Sequence, residues 1–125
     1  RDSYPDGRVG YLTWRNDLSK FHAAKAREVL QGVGYEEDTI HRVTEIIQKK
    51  RLAADKEVQT MENALCLVFL EFQYDDLIEK QPEEKMISIL QKTWAKMTEP
   101  GRQAALALSY SDKGSALLNK ALTAA

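Results

Sequence analysis

Between residues 8 and 25, RVGYLTWRNDLSKFHAAK, stand five side chains suited to holding an anion or moving a proton: Arg8, Tyr11, Arg15, His22 and Lys25, at spacings of three, four, seven and three. On an α-helix such spacings bring residues to one side. An arginine fork binds two oxygens of a phosphate or carboxylate at once. An imidazole changes protonation near neutral pH, so His22 can donate a hydrogen bond or carry a proton. Farther along, Glu62 and Asn63 lie within the apolar arc of Val58, Met61, Leu65, Cys66, Phe69 and Leu70. His22 and Glu62 are the candidate catalytic groups. Arg8, Tyr11, Arg15, Lys25 and Asn63 are the candidate ligand-binding groups, and no residue is assigned to a metal.

A helical wheel sharpens the expectation. Asn16, Asp17, Lys20, Arg27 and Gln31 form one side of the first helix, read as wet. Leu12, Leu18, Phe21, Ala26, Val29, Leu30 and Val33 form the other, and Arg15 and His22 fall among them, with Lys25 at the edge. A guanidinium taken out of water without an acceptor is costly. The expectation is therefore that Arg15 and His22 point inward and line one pocket with Glu62. That pocket is either a site for a small anionic ligand or a structural ion pair that fixes helix register. His41, on the flank of the second helix, is expected to be exposed.

The elements that must position these groups are helical throughout. SYPDG at 3–7 reads as a turn. Helix one covers about 8–32 and stops at Gly34. Helix two opens on Glu36, Glu37 and Asp38, buries Ile40, Val43, Ile46 and Ile47, and closes at Lys49, Lys50 and Arg51, matching the helix dipole at both ends. Helix three, about 56–79, contains ALCLVFLEF, apolar on most sides, and is expected to be the central buried helix with Leu65, Val68, Phe69 and Phe72 inside. After a break at Pro82, helix four buries Met86, Ile87, Leu90, Trp94 and Met97. Thr98 caps a short helix over about 99–108 with Pro100 in its first turn, and Ser111 caps a last one to about Leu122. The expected fold is all-α, a compact bundle of five or six helices forming one domain over residues 1–125.

Composition removes several function classes. Eighteen Lys and Arg against nineteen Asp and Glu give a net charge of −1, which provides no global drive toward nucleic acid or an anionic membrane. No apolar run approaches the ~20 residues of a spanning helix. Cys66 is the lone cysteine, so neither an intrachain disulfide nor a thiolate metal cage can form, and a reducing cytoplasm is the expected compartment. There is no P-loop, dinucleotide-binding glycine pattern, HExxH or EF-hand spacing, and no cofactor is expected. A small anionic ligand is the expected partner, with no nucleic acid and no membrane; the oligomeric state is left open.

The stretches RDSYPDGRVGYLTWRNDLSKFHAAKAREVLQGVGYEEDTI, MENALCLVFLEF and ILQKTWAKM resemble the DUF4202 family, bacterial and fungal domains of unknown function, some labelled glutamyl-tRNA synthetase. The likeness covers essentially the whole chain. It is carried by R-x-x-Y-P-x-x-R-x-G-Y-x-x-W-R, with the F-H-A histidine seven residues after the last arginine. The family is in turn distantly similar to HD-type metal phosphohydrolases, their helical section resembling His22 through Ile40 and their Asp-bearing helix resembling helix three. This implies an HD-domain-like fold and, as a rival function, a metal-dependent phosphohydrolase completed by a helical, histidine-bearing segment ahead of Arg1. Only with such a segment is a divalent metal expected, because the HD dyad is absent here. Lys49 and Lys50 stand where some HD subfamilies have a histidine pair. Asn63 stands where the family's L-E-D pattern has an aspartate, and a neutral amide is the poorer metal ligand. Nothing in the chain resembles a nucleotide-binding synthetase core. A structural or protein-interaction module without ligand is the third reading.

Overall fold

The computed structural model describes residues 1–123, and among them every regular element is helical. The helices are α1 (Arg8–Gly32), α2 (Glu37–Ile47), α3 (Lys56–Val68), α4 (Tyr74–Lys80), α5 (Glu83–Lys96), α6 (Glu99–Leu106) and α7 (Asp112–Thr123), with a π-helical turn, Phe69–Gln73, joining α3 to α4 in one rod. The chain forms two compact units, the first Arg1–Val58 and the second from Gln59 on. None of the described helices is long and apolar enough to cross a membrane.

In the first unit α1 and α2 pack as a helical hairpin. Gly34, at φ 90°, takes the left-handed position that ends α1, and the Tyr35 N–H reaches back to the Leu30 carbonyl at 3.0 Å, a Schellman closure. Glu37 and Asp38 occupy the first turn of α2, where the dipole favours acids. The same closure ends α2: Lys50 N–H bonds the Glu45 carbonyl at 3.0 Å, with Lys49 at φ 55° where glycine is usual. Ala23 and Ile40 are buried, and Arg27 Nη1 donates to both carboxylate oxygens of Glu37 at 2.7 and 2.8 Å.

This hairpin corrects the wheel. On α1 Arg15, Phe21, His22, Lys25 and Val29 are exposed, as is Val33 just beyond its end, while Leu18 among them is half-buried. The half-buried and buried positions of α1 are Gly10, Trp14, Leu18, Ser19, Ala23, Ala26, Arg27 and Leu30. Apolar residues lie all around α1, so its sequence does not single out one dry side. The small residues Ala23 and Ala26 decide the matter by allowing a close approach of backbones. Arg27, read as fully wet, is the residue that links the two helices.

In the second unit the core is Cys66, Leu70, Tyr74 and Ile78 from the long rod, Met86, Leu90 and Met97 around α5, Ala105, and Leu117, Leu118 and Ala121 from α7. Residues 66, 70, 74 and 78 recur every four, a row that drifts about 40° per step on a regular α-helix. The wider π turn takes back part of that drift and keeps Tyr74 and Ile78 over the same neighbours. Thr98 occupies the N-cap position of α6, and Ser111 Oγ accepts the Gly114 N–H at 3.0 Å to cap α7. Of the residues expected inside helix three, Leu65, Val68 and Phe72 are exposed and Phe69 is half-buried. The rod buries one face, and its opposite apolar stripe stays uncovered.

Candidate functional site

The best-built polar cluster lies at the start of the first unit. Residues 1–7 fold back on α1, the Tyr4 N–H bonding the Arg1 carbonyl at 3.0 Å and Arg1 Nη1 donating to the Pro5 carbonyl at 3.3 Å. Gly10 is what permits this fold-back, because a Cβ there would lie 1.8 Å from the Pro5 oxygen. Tyr4 Oη donates to Asp17 at 2.8 Å, and that bond to a carboxylate raises the tyrosine above its ordinary pKa. The fold-back sets the Arg1 guanidinium 5.7 Å from the ring centres of both Tyr11 and Trp14, which themselves lie 5.9 Å apart. From the next turn Arg15 donates to Tyr11 Oη at 3.0 Å, with its guanidinium carbon 5.8 Å from the same ring. Both separations are within cation–π range. Among the described residues neither Arg1 nor Arg15 makes an ion pair with a carboxylate.

Of the residues nominated from sequence, the structure thus joins Tyr11 and Arg15 and adds Arg1 and Trp14. Arg8 is exposed seven residues before Arg15, and His22 seven residues after it, its ring 6.0 Å from that of Phe21. Lys25 pairs with Glu28 at 3.5 Å on the surface, a contact of little energetic weight. Glu62 and Asn63 belong to the second unit. Glu62 is buried. Asn63 is committed to structure: its Oδ1 accepts from Gln59 at 3.1 Å and from the Thr98 N–H at 3.1 Å, and its Nδ2 donates to Thr98 Oγ1 at 2.8 Å. His41 is exposed.

A second cluster escaped the sequence reading. Arg42 on α2 donates Nη1 and Nη2 to the two carboxylate oxygens of Asp55, each at 2.6 Å, and Nε and Nη2 to Glu57 Oε1 at 2.9 and 2.7 Å. Asp55 also accepts the backbone N–H groups of Glu57 and Val58, capping α3. The Arg42 hydrogen bonds, followed by the backbone donors and the guanidinium charge, hold Asp55 well below the usual carboxylate range against the opposing effect of burial. The signal was present as an Asp two residues ahead of a Glu after a basic run, but it needed a distant arginine to complete it. With both Asp55 oxygens and Glu57 Oε1 engaged by Arg42, this cluster clamps the connection between α2 and α3. No three His, Cys, Asp or Glu side chains among the described residues converge as a metal-binding set.

The family model for a domain of unknown function, DUF4202, matches residues 1–118. The chain belongs to the DUF4202 family. That match takes in both the turn that carries Arg1 and the clamp at Arg42. No curated protein and no solved structure matches the chain. In this DUF4202 domain the spaced pattern from Arg1 to Arg15 corresponds to one physical object: a turn folded on a helix, with two guanidinium groups against one tyrosine ring.

Proposed function

We propose that this DUF4202 domain binds a small phosphate-containing anion on the N-terminal half of α1. The observation that carries the reading is the pair Arg1 and Arg15, both within 6 Å of the Tyr11 ring centre, at 5.7 and 5.8 Å, with no carboxylate of the described residues paired to either. Two cations near one ring repel each other, and an anion shared between them relieves that repulsion. The Tyr11 hydroxyl takes one Arg15 donor and fixes the fork, leaving its remaining donors for ligand oxygens. Arg8 and His22 lie on the same helix about 10 Å to either side of Arg15 along the axis. An extended anion, a diphosphate or a nucleotide, is the class that reaches beyond the arginine pair, and His22 is then the group placed to donate a hydrogen bond or a proton. Cys66, buried as a lone thiol, fits a reducing compartment, and we place the domain in the cytoplasm.

The test is titration calorimetry with pyrophosphate and with nucleoside di- and triphosphates on the wild type and on Arg15→Gln. Binding that weakens as salt rises and is lost in Arg15→Gln, with an unchanged melting temperature, supports the site. Equal binding by both proteins removes it.

A further inference from the structure

Arg1 and Arg15 are anchored in the same way. Each uses Nη1 within the first unit, Arg1 on the Pro5 carbonyl at 3.3 Å and Arg15 on Tyr11 Oη at 3.0 Å. Among the described residues no hydrogen bond engages Nε or Nη2 of either arginine. Those two nitrogens form the side edge of a guanidinium, a pair of parallel N–H groups that matches two oxygens of one anionic group. Arg42 on α2 shows the contrast, for all three of its nitrogens are engaged by Asp55 and Glu57. Tyr11 accepts from Arg15 through its oxygen, which leaves its own O–H as a further donor. Arg1, Tyr11 and Arg15 are all exposed.

Two side edges and one hydroxyl offer oxygen-binding donors backed by two positive charges. The acids nearest in sequence do not cancel those charges by pairing: Asp17 is bonded by Tyr4, and among the described residues Asp2 and Asp6 pair with neither arginine. A terminal phosphate has three non-bridging oxygens and close to two negative charges at neutral pH. One arginine edge takes its first and second oxygens, the other its second and third, and both cations are compensated. An internal phosphodiester has two non-bridging oxygens and one charge. It leaves donors of one edge without acceptors and one cation without its counter-charge. We infer that the group recognised on α1 is a terminal phosphate, the dianion of a phosphomonoester, held by the Nε–Nη2 edges of Arg1 and Arg15 with the Tyr11 O–H donating to it, and that diesters are refused. The inference rests on the anion site proposed above and names the class of its ligand.

Titration calorimetry of the full chain with AMP and with diadenosine diphosphate, at about pH 8, tests the inference. Above the second phosphate ionisation, near pH ~6, both ligands carry a charge of about −2, so charge alone does not separate them. Only AMP ends in a free phosphate. The expected result is that wild type binds AMP about tenfold more tightly. Arg1→Lys and Arg15→Lys keep the charge and lose the side edge. Each is expected to lower AMP affinity about tenfold and to erase the preference, with a melting temperature close to wild type. Equal binding of the two ligands by wild type overturns the terminal-phosphate inference and leaves the anion site standing, and that comparison needs no variant. AMP binding unchanged in both lysine variants overturns it too, because point charges then suffice. A wild type that binds neither AMP nor pyrophosphate removes the anion site itself and this inference with it.

Discussion

Asn63 on α3 and Thr98 at the head of α6 are joined by two hydrogen bonds running in opposite directions, from Asn63 Nδ2 to Thr98 Oγ1 at 2.8 Å and from the Thr98 N–H to Asn63 Oδ1 at 3.1 Å. Gly101 lies directly beneath, where a Cβ would come within 2.7 Å of the Asn63 side chain. The amide satisfies the backbone N–H of the N-cap residue and engages its hydroxyl, which makes no cap bond to α6. Asn63→Ala is expected to lower stability by about 1–3 kcal/mol, because the Thr98 N–H and the Gln59 amide lose their acceptor. Gly101→Ala should do similar damage by displacing the same side chain. Chemical denaturation of both variants checks this; an unchanged midpoint in Asn63→Ala would show the bonds to be dispensable.

Gly10→Ala tests the fold-back of residues 1–7. A methyl group 1.8 Å from the Pro5 oxygen cannot be accommodated by side-chain motion, since the neighbour is backbone. The turn is expected to leave α1, taking Arg1 away from Tyr11 and Trp14. The Trp14 indole N–H resonance should shift while the backbone amide resonances of α2 stay in place, and pyrophosphate binding should fall several-fold with Arg15 untouched. Retention of the wild-type Trp14 resonance would contradict this.

Asp55 and Tyr74 set opposite limbs of the pH–stability curve. Asp55 is held well below its unfolded value by Arg42, so its contribution is complete above about pH 4 and declines as pH falls further toward its native pKa. Asp55→Asn should flatten the acid limb. Tyr74 donates to the Gly114 carbonyl at 2.8 Å and is pushed up to about 12, chiefly by burial and then by Tyr110 and Asp75. Its contribution is intact below about pH 10, the unfolded value, and is lost as pH rises through about 12. Tyr74→Phe should flatten that limb at the cost of one hydrogen bond. Thermal melts across the pH range, in which each variant changes its own limb alone, provide the check.

The two faces of the long rod should respond differently to truncation. Leu70, 3% exposed, is expected to cost about 2–5 kcal/mol when cut to alanine, the range for a buried leucine. Phe72→Ala should stay within about 0.5 kcal/mol of wild type. Equal losses at the two positions would mean that the exposed stripe is covered in the monomer.

Arg51, at φ 55°, holds a left-handed conformation that costs a residue with a Cβ about 1–2 kcal/mol. Its side chain reaches Glu45 at 3.2 Å from an exposed position. Arg51→Gly is expected to raise the melting temperature, the relief of strain outweighing an exposed ion pair. A lowered melting temperature would assign the turn's stability to the arginine side chain instead.

The sequence by itself determined that the chain is helical and several of the points where helices start and stop, though α2 ends at Ile47, short of the expected Lys49–Arg51, and a π turn divides the expected third helix. Gly34 stops α1, Glu37 and Asp38 open α2, Pro82 breaks the chain before α5, and Ser111 caps α7, because each acts through local backbone geometry or the dipole of its own helix. The family too was legible, in the spaced residues from Arg1 to Arg15. Only the tertiary structure decided which sides of those helices are covered. On α1 and on the α3–α4 rod apolar residues are spread too widely for periodicity to choose a face. The choice fell to small residues such as Ala23, to a π turn that no local pattern announces, and to partners distant in sequence. Arg15 and His22 therefore stand on the exposed side of α1, and Phe72 on the exposed side of the rod. Arg42 finds Asp55 and Arg1 finds Tyr11 because charge and ring contacts depend on where the chain returns in space, and spacing along one helix does not encode that.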